Sequence, residues 1–283
     1  MKTYHTVALV GVGLIGGSLS RDLLKRKIAD EVVGFDTDKK NLAYAVKAGI
    51  VSTAGRSLRD TLGRSDLVIL ATPVLALEER IKSLAEFIPA QTLVIDVGST
   101  KQKIIRLADR FFYDGNFVGC HPMAGDEKSG ARASRCDLFD RAPCLIVCGQ
   151  KTRPAFAGRA RVLWKSLGAR VIELSLKDHD KYLAACSHLP HVLSFALMSS
   201  VGKKISPAAL KKIAGQSFKS YTRIAGSNAR MWRDIFIANQ ENTLSQIDEF
   251  QTELASLKKA ISSGDHKGLF KYMEKAARMW RKM

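Results

Sequence analysis

Residues 5–18 read HTVALVGVGLIGGS and decide the fold of the first part of the chain. An apolar strand runs directly into a G-x-G-x-x-G turn, and a helical pattern follows. Gly11 permits the tight turn, Gly13 lets the backbone approach a pyrophosphate, and Gly16 lets the helix pack closely on the strand. The helix start at Leu14 and Ile15 offers free N–H groups and a partial positive charge to phosphates. The stretch therefore predicts a dinucleotide-binding site.

Asp36 extends this prediction to the identity of the dinucleotide. It ends the next apolar run about 20 residues after Gly16, where a carboxylate would accept hydrogen bonds from the adenosine ribose hydroxyls. A carboxylate there repels a 2′-phosphate, so NAD is the predicted cofactor rather than NADP, although Lys39 and Lys40 could soften that preference. The alternative is a glycine-rich turn that binds nothing. The strand, the helix and the acidic residue in register favour the dinucleotide site.

The composition is that of an ordinary globular protein, with 46% hydrophobic and 25% charged residues among 283. This length allows two domains. No run of about 18 apolar residues is present, so we expect no membrane span. The N-terminus lacks a signal-peptide pattern, and the odd number of cysteines, five, indicates free thiols. We therefore expect a cytoplasmic protein.

The chain is strongly basic, with a formal net charge of +18. Such a charge suits nucleic-acid binding or the attraction of an anionic substrate, or it is simply a solvated basic surface. Aromatic residues make up 7% of the chain and are not interleaved with the basic ones. We therefore expect no nucleic-acid partner. The attraction of an anionic substrate and a solvated basic surface both stay open.

Apolar runs alternate with helical patterns through the first 175 residues, which predicts an α/β fold with a Rossmann-type, doubly wound sheet. The predicted strands are Val7–Val10, Glu31–Phe35, Leu67–Ala71, Leu93–Asp96, Phe117–Gly119, Cys144–Cys148 and Arg170–Glu173. We expect the later strands to extend the sheet and some of them to be antiparallel. No convincing strand follows, and long helical patterns cover Asp178–Val201, Pro207–Gly215, Arg230–Ser262 and His266–Arg281. We therefore predict a dinucleotide-binding domain over residues 1–175 and an all-helical domain over residues 176–283.

The stretch Asn228–Ser262 has the pattern of one helix that is long for the interior of a monomer. Its apolar residues, from Ile235 to Leu257, recur at helical spacing. A helix of this kind often packs against a copy of itself. We therefore expect a homodimer formed through the helical domain.

Ligands of an open parallel sheet lie outside the carboxyl ends of its strands, where three loops are predicted beyond the glycine turn. Thr72 and Pro73 could line the ribose side. Ser99 could bond a substrate hydroxyl, the nicotinamide amide or His121, or be only a turn residue. We expect His121 in a glycine-flanked loop after a strand, where an imidazole can take a proton from a hydroxyl as hydride leaves the same carbon. The alternative is a structural histidine bonded to a backbone carbonyl.

Polar residues interrupt the apolar helical pattern around a proline at Ser187, His188 and His191. A proline there frees a backbone carbonyl and kinks the helix. The two histidines share a helix face, but no Glu or Cys completes a metal site, so we expect no metal. They form either a pocket wall or part of the core. Arg223 could hold a carboxylate bidentately or form a surface or interface salt bridge.

Together these segments resemble the prephenate dehydrogenase family, whose members are also called arogenate or cyclohexadienyl dehydrogenases. The resemblance spans nearly the whole chain and rests on Gly11–Gly17, Asp96–Lys101, His121–Gly130, His179–His191 and Thr222–Asp234. The most specific features of this resemblance are the segments HPMAG (residues 121–125) and SHLPH (residues 187–191) in this order. The implied fold is a dinucleotide-binding domain followed by a helical dimerisation domain.

The resemblance implies oxidative decarboxylation of prephenate, a dianion, to 4-hydroxyphenylpyruvate with NAD as the hydride acceptor. It implies that His121 takes the proton of the ring 4-hydroxyl and that Ser99 orients both groups. Arg223 would bind a substrate carboxylate. The other implied substrate contacts are Ser187, His188, His191 and, from the partner subunit's side of the site, Trp232.

Three alternatives stay open. The substrate could be arogenate, which carries an ammonium group where prephenate has a ketone. Another NAD-linked dehydrogenase of this architecture, such as a hydroxyacid dehydrogenase, would be expected to use a lysine base where this helix offers serine and histidine. A cofactor-binding sensor without catalysis is disfavoured by His121 and Arg223. Ser220 stands where some relatives have an acidic residue, which leaves the charge network around Arg223 open.

Overall fold

The computed structural model describes residues 4–126 and 128–283. Contacts within it divide the chain into two compact units, Met1–Asn239 and Gln240–Met283. The first unit contains every residue that the sequence assigns to a site. The second consists of two helices in contact with each other.

An eight-stranded sheet forms the centre of the first unit, with the strand order β3-β2-β1-β4-β5-β6-β7-β8. The strands are β1 Tyr4–Val10, β2 Ala29–Phe35, β3 Thr53–Ala54, β4 Leu67–Leu70, β5 Leu93–Asp96, β6 Phe117–Pro122, β7 Pro143–Val147 and β8 Arg170–Glu173. All neighbours are parallel except β6 and β7, which are antiparallel. The seven predicted strands and the doubly wound sheet are confirmed. The prediction missed β3, which is too short to show a pattern.

Helices cover both faces of this sheet and follow it in the chain. The helices of the first unit are α1 Leu14–Lys25, α2 Lys39–Lys47, α3 Leu58–Arg64, α4 Val74–Ala85, α5 Gln102–Phe111, α6 Pro154–Ser166, α7 Leu176–Leu183, α8 Leu189–Gly202, α9 Pro207–Ile213, α10 Gln216–Thr222 and α11 Ala229–Ala238. Those of the second unit are α12 Gln240–Ser262 and α13 His266–Trp280. No helix in the described part of the chain is both long and apolar enough to cross a membrane.

Alternate residues of β1 enter two separate hydrophobic cores, one on each face of the sheet. Val7 and Leu9 belong to the first core, and Ala8 and Val10 belong to the second. This is why the strand is almost continuously apolar, as parallel strands covered on both faces are. The pairing also aligns the strand ends, since Val10 lies opposite both Phe35 and Leu70. The loops that follow β1, β2 and β4 therefore share one edge of the sheet.

The helical part of the first unit packs against the sheet layer. α7 contacts α5 and β7, and α11 contacts α4. The strands end at Glu173 and α7 begins at Leu176, where the sequence pattern changes. The change from strands to helices and the division into compact units therefore fall at different places in the chain.

Two predicted helices are interrupted in the structure. The pattern over Asp178–Val201 contains a π-helical turn, Ala184–His188, between α7 and α8. Pro190 stands in the first turn of α8, where its missing N–H is tolerated. The prediction of one helix over Asn228–Ser262 is wrong, because Asn239 separates α11 from α12. The Asn239 side chain is buried and binds polar groups of the first unit, which fixes the break.

We expect Gly16→Ala to destabilise the first unit. The added Cβ would clash with the carbonyl oxygen of Gly11, a backbone atom of the tight turn. Overpacking of this kind costs about 1–3 kcal/mol. Gly13→Ala is the matched control, because its Cβ would meet no atom within 4 Å. Thermal unfolding should show a lowered midpoint for Gly16→Ala alone, and equal midpoints for the two variants would contradict the close packing at Gly16.

Candidate active site

The glycine turn forms an open cradle at the start of α1. Gly11 has a φ of +98°, and a Cβ there would lie 2.5 Å from the Ala71 carbonyl oxygen, so only glycine fits. Gly13 is the N-cap of α1, and no side chain caps this helix end. Because the space beside Gly13 is open, a phosphate could approach the N–H groups of Leu14 and Ile15 directly. These residues fit the pyrophosphate of a dinucleotide.

Asp36 lies at the end of β2 and is tied to this turn. Its Oδ2 accepts hydrogen bonds from the Val12 N–H at 3.0 Å and from Asn41 Nδ2 at 3.1 Å. Its Oδ1 accepts one from the Asp38 N–H at 2.9 Å. Asn41 Nδ2 also donates to the Val12 carbonyl oxygen at 2.9 Å. The carboxylate is thereby held in one orientation beside the cradle, where ribose hydroxyls would reach its remaining lone pairs.

Thr72 and Pro73 follow β4 directly beside the same turn. The closeness is shown by the Cβ position of Gly11, which would lie 3.0 Å from the Thr72 backbone nitrogen. Pro73 is the N-cap of α4 and is exposed. The structure therefore places both residues at the edge of the cradle.

His121 lies inside β6, so the prediction that it sits in a loop after a strand is wrong. The antiparallel return of β7 extends the pairing of β6 to Pro122, and His121 lies opposite Leu145. The side chain is 8% exposed. A strand position holds the imidazole more firmly than a loop would, which suits a group that must meet one substrate atom.

Two further polar residues support His121 from α7. His121 Nδ1 lies 3.0 Å from Nε2 of His179, and Nδ1 of His179 lies 2.7 Å from Oδ1 of Asp180. Both supporting side chains are buried. The Asp180 carboxylate also accepts hydrogen bonds from the backbone N–H groups of Lys101 at 2.8 Å and Gln102 at 2.9 Å. The base candidate is therefore connected to the first turn of α5.

Ser99 lies in the turn between β5 and α5, which a buried ion pair shapes. Lys101 Nζ lies 2.7 Å from Asp96 Oδ2, and both side chains are 0% exposed. The same ammonium donates to the carbonyl oxygens of Gly98 at 2.6 Å and Thr100 at 3.2 Å. Because Asp96 pairs with Gly119 of β6, this turn and His121 lie at adjacent strand ends. The half-buried Ser99 is thus presented between two anchored neighbours.

The π-helical turn carries Ser187 and His188. His188 is buried, and its Nδ1 accepts a hydrogen bond from Asn239 Nδ2 at 3.1 Å. Asn239 Nδ2 also donates to the Asp180 backbone carbonyl at 2.8 Å. Turns of this type often occur at functional sites because they alter the direction of side chains within a helix. Here the turn connects the SHLPH segment with the residues that support His121.

His191, one turn further along α8, stacks on Trp232 of the same chain. The ring centroids are 3.5 Å apart and the planes are inclined by 22°. His191 Nδ1 donates to the Ser187 carbonyl oxygen at 2.9 Å, and His188 packs edge-on against the indole at 6.0 Å. The expectation that Trp232 comes from the partner subunit's side is therefore corrected, because α11 folds back against α8 within one protomer.

Arg223 begins a 3-10 turn, Arg223–Gly226, after α10. The side chain is exposed, and its positive charge is close enough to lower the pKa of His191. Contacts thus run without a gap from His121 through Asn239 and Trp232 to the neighbourhood of Arg223. The structure brings together the two groups of residues that the sequence placed far apart. No group of three or more His, Cys, Asp or Glu in residues 4–126 and 128–283 is arranged to hold a metal ion.

Comparison with known proteins decides the family. Residues 19–173 match the family model described as prephenate dehydrogenase, nucleotide-binding domain, and residues 175–275 match the one described as prephenate dehydrogenase, dimerization domain. This chain belongs to the prephenate dehydrogenase family. The dimerisation-domain match supports the homodimer that the sequence predicts.

Individual relatives match this chain over nearly its whole length. A prephenate dehydrogenase of Bacillus subtilis is 33% identical over 96% of this chain and 74% of the relative. The crystal structure of a prephenate dehydrogenase from A. aeolicus, in complex with hydroxyphenyl propionate and NAD+, is 31% identical, covers 98% of both chains and has a TM-score of 0.90. The crystal structure of Synechocystis arogenate dehydrogenase is 26% identical, covers 98% of this chain and 99% of that one, and has a TM-score of 0.82.

The site histidines of this prephenate dehydrogenase family member are neutral near pH 7. Burial lowers the pKa of His121 well below its ordinary value, and the nearby titratable His179 ring and the Lys101 ammonium lower it further. Burial also lowers the pKa of His188, to about 4, and the pKa of His191. A neutral imidazole has a free lone pair, so His121 is ready to accept a proton.

Sequence reasoning missed the residues that support His121. His179 and Asp180 lie within a segment that resembles the family, and an adjacent His-Asp pair at the start of a helix was a usable signal. Lys101 lies in another such segment, but nothing in the sequence shows that it is buried. Asn239 gives no signal at all, because it stands in the middle of an apparently continuous helical pattern.

We expect acidification from pH 7 to pH 4 to lower the free energy of unfolding. An unfolded histidine takes up a proton near pH 6.5, whereas His188 in the native state does so near pH 4, so the unfolded state binds more protons in between. Stability is therefore full above about pH 6.5 and declines below it, with about 3 kcal/mol of the loss due to His188. Urea unfolding across a pH series measures the slope.

His188→Gln removes this titrating ring and should give a shallower pH dependence than the wild type. His5→Gln is the control for the loss of a histidine at an exposed position, because the His5 side chain is 82% exposed. The change of slope in His188→Gln should exceed that in His5→Gln. Parallel slopes for His188→Gln and the wild type would show that His188 is not titrated on unfolding.

Proposed function

We propose that this enzyme converts prephenate to 4-hydroxyphenylpyruvate and carbon dioxide, with NAD as the hydride acceptor. The observation that carries the proposal is the buried, neutral imidazole of His121 beside the Ser99 turn at the sheet edge. The similar A. aeolicus structure holds NAD+ together with hydroxyphenyl propionate, a phenol with a carboxylate chain. A ligand of this shape corresponds to the product side of the proposed reaction.

The cofactor residues proposed here are Gly11, Gly13, Leu14, Ile15, Gly16, Asp36, Thr72, Pro73 and Ser99. Bound NAD would accept a hydride from the substrate carbon that carries the 4-hydroxyl group. The uncapped start of α1 would hold its pyrophosphate. Asp36 would bind the adenosine ribose and would repel the 2′-phosphate of NADP.

His121 would act on the 4-hydroxyl group and end each turnover unchanged. Its lone pair takes the hydroxyl proton as the C4–H bond gives up its electron pair as hydride, so that C4 becomes a carbonyl carbon. The bond to the ring carboxylate then breaks, carbon dioxide leaves, and the electron pair enters the ring, which becomes a phenolate. His121 returns the proton to the phenolate oxygen. Ser99 would orient the hydroxyl group, and because aromatisation drives the reaction, orientation and a base suffice.

The helical residues would hold the rest of the dianion. Arg223 can bind a carboxylate bidentately, and its charge already acts on His191. Ser187, His188, His191 and Trp232 would surround the pyruvyl side chain. The formal net charge of +18 would draw such an anion towards the protein. The five free cysteines fit the reducing cytoplasm in which we place the enzyme.

Arogenate is the second candidate substrate, favoured by the likeness to Synechocystis arogenate dehydrogenase. It carries an ammonium group in place of the ketone, and the chemistry at C4 is the same. The two substrates therefore differ only at the end that Ser187 and His191 would contact.

We expect purified protein to form NADH with prephenate and NAD, more slowly with arogenate, and least with NADP. The four combinations are compared by absorbance at saturating substrate. The His121→Asn variant should fold and bind NAD, but its kcat should be lower by about 10²- to 10⁴-fold, because asparagine cannot act as the base. Absence of turnover with both substrates would refute the proposed function, and near-normal turnover by His121→Asn would remove His121 from its role.

Arg223→Ala is expected to raise KM for the substrate by about 10- to 100-fold, the cost of a lost charged hydrogen bond. KM for NAD should change little, because the dinucleotide cradle lies on the sheet side. Arg230→Ala, at an exposed position in the first turn of α11, is the matched control and should leave both constants near wild type. Equal rises in both KM values for Arg223→Ala would show that Arg223 is not a carboxylate ligand.

A further inference from the structure

We propose that His179 and Asp180 are positioning residues that hold His121 in the one tautomer able to act as a base. Nε2 of His121 is the basic nitrogen in that tautomer, and Nδ1 carries the proton. This proposal rests on the function proposed above, because that function makes His121 the base of the reaction. The tautomer itself is a property of the protein alone and can be measured without substrate.

The Asp180 carboxylate sets the direction of every hydrogen bond in the group. It accepts the backbone N–H of Lys101 at 2.8 Å and that of Gln102 at 2.9 Å, at the start of α5. These donors and the partial positive charge of the helix start favour the ionised form. Burial raises the pKa of Asp180, but the hydrogen bond from His179 and those from the backbone outweigh burial and hold it below its ordinary value. An ionised carboxylate can only accept.

His179 must therefore carry its proton on Nδ1, the nitrogen that lies 2.7 Å from Asp180 Oδ1. Burial holds the pKa of His179 below its ordinary value, so the ring is neutral near pH 7 and has one proton. Its Nε2 is consequently a lone pair that can only accept a hydrogen bond. This nitrogen lies 3.0 Å from Nδ1 of His121.

The same logic fixes His121. Its Nδ1 must donate to His179, so the proton of the neutral imidazole lies there and the lone pair lies on Nε2. The opposite tautomer would place two lone pairs against each other at 3.0 Å in a buried site. It would also put a proton on the nitrogen that has to receive one. The hydrogen bonds from Asp180 through His179 thus disfavour the tautomer of His121 that is protonated on Nε2, by electrostatics as well as by geometry.

The arrangement also stabilises the imidazolium form of His121. When Nε2 of His121 takes the substrate proton, the new imidazolium keeps donating through Nδ1, and His179, polarised by Asp180, is a stronger acceptor than a backbone carbonyl. Other charged or titratable groups face these rings: Lys101 and His188 face His121, and Lys101 and Asp96 face His179. Asp180 is the anionic partner in direct contact with His179, so its removal should weaken the base most.

The test compares His179→Gln with His179→Phe. Glutamine can place an oxygen near the former Nε2 and accept the bond from His121, whereas phenylalanine keeps a ring but offers no acceptor. We expect His179→Phe to lower kcat by about 10²-fold with KM for NAD unchanged, and His179→Gln to stay within about 10-fold of wild type. Nitrogen NMR of the imidazole rings should show His121 protonated at Nδ1 in the wild type and the Gln variant but not in the Phe variant.

A second variant keeps the test decisive should His179→Phe fail to fold, as judged by its thermal midpoint. Asp180→Asn keeps the shape of the side chain but offers one acceptor oxygen to the three donors that Asp180 now binds, so it no longer fixes the proton of His179 on Nδ1. It should leave His121 in a mixture of tautomers and lower kcat by up to about 10⁴-fold. Wild-type kcat and an unchanged His121 tautomer in the folded variants would overturn the proposal. Because the NMR arm needs no substrate, a wild-type protein that shows the predicted tautomer but turns over neither prephenate nor arogenate would refute the proposed function alone.

Discussion

The Asp180 carboxylate joins the helical segment that follows the strands to the sheet edge where the site lies. Two backbone N–H groups at the start of α5 and one ring nitrogen of α7 converge on it, all within 2.9 Å. Its own backbone carbonyl is held by Asn239 at the end of α11. One residue thus joins α5, α7 and α11, and His121 is supported through it by His179.

The site is stabilised by buried charges rather than by apolar packing alone. Lys101 and Asp96 are fully buried and paired, and burial raises the pKa of Asp96 while the Lys101 ammonium opposes that rise. Desolvation offsets most of the attraction in such a pair, but loss of one partner leaves an uncompensated charge and costs about 3–5 kcal/mol. The pair therefore contributes little net stability while it defines one conformation of the turn that presents Ser99.

Aromatic and imidazole rings continue the site into the helical segment. Trp232 packs on His191 and His188 within one protomer, and the π-helical turn sets the positions of the two histidines. The dimerisation-domain match runs over residues 175–275 and so includes α12 and part of α13. These two helices expose large apolar side chains such as Leu254, Phe270 and Trp280. Exposed apolar faces of this kind favour association with a second copy of the chain.

The sequence by itself determined the doubly wound sheet and the glycine turn with Asp36 beside it, because glycine spacing and strand–helix alternation are local properties. Tertiary structure alone decided that His121 lies within a paired strand, that the long C-terminal helix breaks at Asn239, and that Trp232 stacks on its own chain. These features arise from partners distant in the chain: the return of β7, the carbonyl of Asp180 and the ring of His191. A pattern read along the chain cannot contain such contacts, since each depends on which segments the fold brings together.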